Sequence, residues 1–155
     1  KIKKTGDARY NRIYLLAYLF SLFGTTSDFM EENKQTNLVQ RFEYDLWDTK
    51  NDYLLLILWG ETKKFKSYIN KTESLINSFN LNEDDYHRFI KSLKAYYLEI
   101  SDYNQSIVNY LQNYFIYHGK PMDDLELLDT LSYNNCIQFI NNTDFANKAV
   151  TVIKK

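Results

Sequence analysis

One cysteine, one proline and four glycines are all that 155 residues contain of these three types. A single thiol, Cys136, excludes an internal disulfide and a cysteine-based zinc site. It also makes a reducing, cytoplasmic setting the natural expectation. So few breakers of regular structure predict long helices and few tight turns. Arginine is scarce as well, confined to Arg9, Arg12, Arg41 and Arg88. Formal net charge is −1, which removes any bulk electrostatic case for wrapping nucleic acid or lying on an anionic membrane. The two histidines, His87 and His118, form no His-x-x-x-His pair, and no Glu-x-x-His occurs, so a metal centre is not expected. Phosphate-binding glycine loops and the Gly-x-Ser-x-Gly elbow are missing too. No cofactor is expected.

What is present is ordinary for a globular chain, with 45% hydrophobic and 25% charged residues. The aromatic share is high at 17%, including 14 Tyr and 10 Phe. Most of those tyrosines are expected at the rim of a core, ring buried and hydroxyl wet. The length fits one domain over residues 1–155. The apolar stretch Leu15–Phe23 is too short to cross a membrane. It reads as part of a buried first helix, not as a signal sequence.

Apolar spacing predicts an all-α fold, an antiparallel bundle of four or five main helices. A first helix is expected from about Asp7 to Phe23, apolar nearly all round and therefore central, with Gly24 ending it. An amphipathic helix follows at about Phe29–Trp47, carrying Leu38, Phe42 and Leu46 four residues apart. A third is read from Asp52 to Phe79, bent or broken near Gly60. Asn82 followed by Glu83, Asp84 and Asp85 is a helix start, because the amide caps free N–H groups and carboxylates suit the positive end of the dipole. That helix is read from Glu83 to Tyr117, with Ile107, Leu111 and Tyr114 on its core face. Another begins at Asp123 or Asp124 and ends at Asn141–Asn142. A short last helix is expected after Thr143, and Ala149–Ile153 is β-prone.

Most of the chemistry-bearing residues have plain readings. The acidic pairs Glu31–Glu32, Asp84–Asp85 and Asp123–Asp124 sit at predicted helix starts. Lys63, Lys64, Lys66 and Lys71 read as a solvated helix face beside Glu61 and Glu73. His87 reads as a surface residue, and Cys136 as a small buried hydrophobe.

The segment Tyr110–Pro121 is different. It closes a long helix and sets Gln112 and Asn113 about one and a half turns before His118, which is followed by Gly119 and Pro121. Asn113 and Tyr117 share a helix face, and His118 can fold back toward it. This segment resembles the active motif of HEPN-domain proteins, helical bundles often found in toxin–antitoxin and phage-defence systems. In that motif an Arg and a neighbouring polar residue precede a His by a short spacing. Asn113 fits the polar position, His118 the histidine, and Gly119 and Pro121 the tail, while Gln112 stands where the family has Arg. The resemblance implies a dimer and metal-independent RNA cleavage. Gln112 brings no charge, so weak or no catalysis is expected. The chain is accordingly expected to be a helical interaction domain binding a protein partner, a second copy of itself, or RNA. The alternative is a HEPN-type ribonuclease in which His118 works with an arginine from elsewhere, such as Arg88 or Arg41.

Overall fold

A computed structural model describes residues 1–6, 8–49, 51–118 and 124–153. Chain order is β1 (Ile2–Lys3), α1 (Ala8–Phe23), α2 (Asp28–Thr36), β2 (Arg41–Asp48), β3 (Tyr53–Glu61), α3 (Phe65–Ser78), α4 (Glu83–Ser101), α5 (Asn104–His118), α6 (Asp124–Thr130) and α7 (Tyr133–Asn141). The three strands form an antiparallel sheet in the order β1-β3-β2. The fold is therefore mixed, and the expected all-α bundle is wrong.

The error has a physical origin. Leu38, Phe42 and Leu46 lie four residues apart, and four is an even number. A strand, whose side chains alternate with period two, places them on one face as readily as a helix does. Within β2, Phe42, Tyr44 and Leu46 alternate with Glu43, Asp45 and Trp47. Apolar and aromatic residues on one face, alternating with mainly charged residues on the other, make the strand pattern. Instead of one helix over 29–47, the chain makes the short α2 and then β2. Instead of one helix over 52–79, the apolar run Tyr53–Trp59 is strand β3, and α3 begins only at Phe65. A short continuous apolar run fits a buried strand as well as a helix.

Gly60 neither kinks nor breaks a helix. It lies on β3 opposite Phe42, where a β-carbon would stand 2.7 Å from Val39 Cγ2 and 3.2 Å from the Tyr68 ring. Glycine here allows the hairpin to close on α3.

Two asparagines fix joints between strands and helices. Asn11, buried in α1, accepts from Thr5 N at 2.8 Å and donates to Thr5 O at 2.5 Å. This holds the β1–α1 turn, in which Gly6 has φ +60, a left-handed value suited to glycine. Asn33 does the same for Val39, accepting from its N at 2.8 Å and donating to its O at 2.9 Å. Between them Asn37 closes α2 in the left-handed region.

Helix α1 is enclosed, as its all-round apolarity implies. Leu15, Ala17 and Leu19 are fully buried, and α4, α7, α2 and β2 pack around it. Phe23 meets Phe29 and Phe42 at 5.2 and 5.0 Å between ring centres. The inner face of the sheet (Phe42, Tyr44, Leu46, Leu54, Leu56, Leu58) joins this core.

The long helix expected over 83–117 is two helices, α4 and α5, parted at Asp102–Tyr103. Asn82 caps α4, accepting from Asp85 N at 2.8 Å. The helix expected over 124–140 is also two, because Ser132 starts a new one by accepting from Asn135 N at 3.2 Å. Residues 143–153 form neither helix nor strand.

Candidate interaction surface

The segment singled out from sequence lies on α5 as far as His118. This helix packs on α4, with Tyr97 and Tyr110 meeting edge to face at 5.6 Å. Its outer side carries Val108, Leu111, Phe115 and Ile116, exposed by 54%, 38%, 59% and 56%. At about 100° per residue these four fall within one broad stripe. Gln112 lies in the middle of that stripe and is exposed. Leu111, expected on the core face, is on the open side.

Residues 103–117 contain no Asp, Glu, Lys or Arg. An exposed helix ordinarily carries charge on its wet face. Here the described wet face carries Val108, Leu111, Phe115 and Ile116 beside the uncharged polar residues Gln105, Ser106, Asn109 and Gln112. Beside it lies an open groove of about 670 Å³ between α4 and α5, lined by Tyr96, Glu99, Ile100, Tyr103, Asn109 and Tyr110.

Of the candidate catalytic residues, Gln112, Asn113 and His118 all lie on α5. The side chains of Asn113 and His118, and all of Gly119 and Pro121, lie outside the described residues. The two arginines considered as substitutes are engaged locally. Arg88 pairs with Asp85 in the first turn of α4. Arg41 pairs with Glu43 on β2 at 2.6 Å, which raises its guanidinium pKa.

The remaining sequence candidates take structural roles. Glu31 pairs with Lys34, and Glu32 with Lys71 of α3, both at 2.6 Å. Lys64 donates to Thr36 O at 3.0 Å. His87 stands 3.6 Å from Glu83 on the surface of α4. Cys136 is fully buried, and burial pushes its thiol up to about 12. Asp123 lies outside the described residues.

A second open surface was not foreseen. The outward positions of β3 are Tyr53, Leu55, Ile57, Trp59 and, at its end, Glu61, with Trp47 of β2 beside Leu55. Trp47 and Trp59 are exposed by 55% and 40%. An antiparallel sheet with one wet face normally alternates apolar inside with polar outside. The central strand here is apolar on both faces. The signal in the sequence was the unbroken run Tyr53–Trp59, which a one-sided strand would not need.

No family model matches the chain, and no curated protein matches it. Among solved structures it is similar in fold to a crystal structure of an M16-like peptidase from Alicyclobacillus acidocaldarius. The TM-score is 0.74 at 16% identity, over 91% of this chain and 35% of that one. The chain thus spans about a third of that protein's length. Identity this low shows a shared fold alone. It overturns the HEPN resemblance, which required a helical bundle and rested on about a dozen residues. Toxin–antitoxin and phage-defence associations drawn from that resemblance lose their support with it.

Proposed function

We propose that this chain is a protein-binding domain on a peptidase-like fold, without catalysis of its own, and that it takes its protein partner on α5. One observation carries this: a surface helix that has no charged residue over 103–117 and exposes Val108, Leu111, Phe115 and Ile116. Interface centres are depleted in charge and enriched in aromatic residues, whereas water-facing helices are not. Phe115 is the natural anchor, and Gln112 supplies a polar contact within the apolar stripe. The tyrosine-rich groove with Tyr96 and Tyr103 extends the surface.

RNA is a poorer fit. Phosphate contacts need lysine or arginine, while α5 has neither, and among the described residues the groove is lined by Glu99 without a cation. Peptidase activity is not part of the proposal. The sequence has neither a His-x-x-x-His pair nor a His-x-x-Glu-His motif, the ligand spacings of zinc peptidases.

The test compares the unmodified chain with Leu111→Glu and Phe115→Glu as immobilised baits in an extract of the source cells, beside a protease assay on casein. The expected result is a discrete protein retained by the unmodified chain and lost with either variant, and no casein cleavage. Casein cleavage, or retention that ignores both substitutions, would refute the proposal.

A further inference from the structure

The outward face of the sheet has a charge pattern as well as an apolar centre. Leu55 and Ile57 occupy the middle of the face, flanked by Tyr53, Trp47 and Trp59. At one corner stand Lys1 and Lys3, where β1 runs beside Tyr53 and Leu54; Lys1 Nζ lies 3.8 Å from the centre of the Tyr53 ring. At the opposite corner stand Glu43, Asp45 and Glu61, with Arg41 paired to Glu43. Asp45 also accepts from the Trp47 indole N–H. One corner is therefore basic and the corner diagonal to it is net acidic.

We infer that this face is a docking surface for a second copy of the same chain. A two-fold axis lying in the face and crossing β3 obliquely near Leu55 carries the basic corner of each copy onto the acidic side of the other. The strands of the two sheets then cross near a right angle, one of the two usual sheet-on-sheet arrangements. The contact is isologous, so every charge pairing occurs twice. The apolar centre buries Leu55, Ile57 and parts of both tryptophans, which explains why the central strand is apolar on the side that α1 does not cover. A different protein would need its own matching diagonal of charge, whereas a second copy has one by construction.

The size of the face sets the strength. β3 has nine residues, about 30 Å of strand, and three strands span roughly 14 Å. Crossed sheets of that width bury a few hundred Å² per copy, below the roughly 800 Å² per partner of a standard stable interface. The dimer is thus weak, rapidly reversible and weakened by salt.

The experiment is sedimentation velocity over a concentration series for the unmodified chain, Lys3→Glu, Asp45→Lys, and an equimolar mixture of the two variants. Each single variant sets like charges against each other in its own homodimer. In the mixed pair, Glu at position 3 faces Lys at position 45 and the unchanged Asp45 faces the unchanged Lys3. The expected result is concentration-dependent dimer for the unmodified chain, at least a tenfold weaker dimer for each variant alone, and recovery in the mixture. Circular dichroism of each variant establishes that it is folded. An unmodified chain that stays monomeric throughout, or a mixture no better than its components, overturns the proposal. A dimer that both substitutions leave unchanged also overturns it and points to α5 as the self-contact.

Discussion

Helices α1 and α5 are alike in length and opposites in use. They have 16 and 15 residues with three Tyr each, but α1 is rich in Leu whereas α5 mixes its apolar residues with Asn and Gln. α1 is surrounded by α2, α4, α7 and β2, and nine of its residues are buried. α5 rests on α4 and turns Val108, Leu111, Phe115 and Ile116 to water. An apolar helix therefore does not announce whether its side chains hold the fold or await a partner. The flanking charge helps: Arg9 and Arg12 mark the start of α1, whereas residues 103–117 are uncharged.

Substitutions should separate the two helices. The largest effect is expected at Leu19, which is fully buried. Leu19→Ala should cost about 2–5 kcal/mol in urea unfolding, while Phe115→Ala on α5 should cost less than about 0.5 kcal/mol. Next is Gly60→Ala, where the new methyl would sit 2.7 Å from Val39 Cγ2 and 3.0 Å from Arg41 O. It should lower stability by about 1–3 kcal/mol, seen as a drop in thermal midpoint, because the hairpin must move to admit it. Smaller again is Tyr18→Phe on α1, which removes a 2.7 Å hydrogen bond to Ile76 O and should cost about 1 kcal/mol. Tyr86→Phe should be neutral or mildly stabilising by the same measurement, since the buried Tyr86 hydroxyl has no hydrogen-bond partner among the described residues.

The smallest effect at ordinary pH comes from ionisation around α1. Burial raises Tyr18 and Tyr68 from 10.0 to about 12, and Cys136 from 9.0 to about 12. Above their ordinary values the unfolded chain has released protons that the folded chain keeps. Stability from these groups is therefore fully present below pH 9 and lost as pH rises through about 12. Denaturation midpoints should be insensitive to these groups from pH 6 to 8.5 (about neutral) and fall steadily above that. A midpoint that rose in alkali would contradict the burial of these side chains.

Part of this fold was legible in the sequence and part was not. Helix α1 and its central place followed from apolarity all round, and the start of α4 from Asn82 and the three acids behind it. The sheet was missed because an interval of four satisfies both periods, and because Tyr53–Trp59 lacks any alternation to separate strand from helix. The breaks at Asp102 and Ser132 were missed because the apolar residues on either side of each keep close to helical spacing, so the repeat runs on across the joint. The segment around Gln112 was noticed for a motif that the fold does not support. What marked it physically was simpler: exposed apolar residues on a helix without charge, which a solvated helix does not require.

The most direct test of the account is the thermal unfolding of a Val108→Glu/Phe115→Glu double variant, followed by circular dichroism. If α5 presents an open stripe, two carboxylates there meet water, and the midpoint should match the unmodified chain to within the roughly 0.5 kcal/mol of a surface change. A collapse of the midpoint comparable to that of Leu19→Ala would mean that these side chains are core, and that α5 is not a surface for a partner.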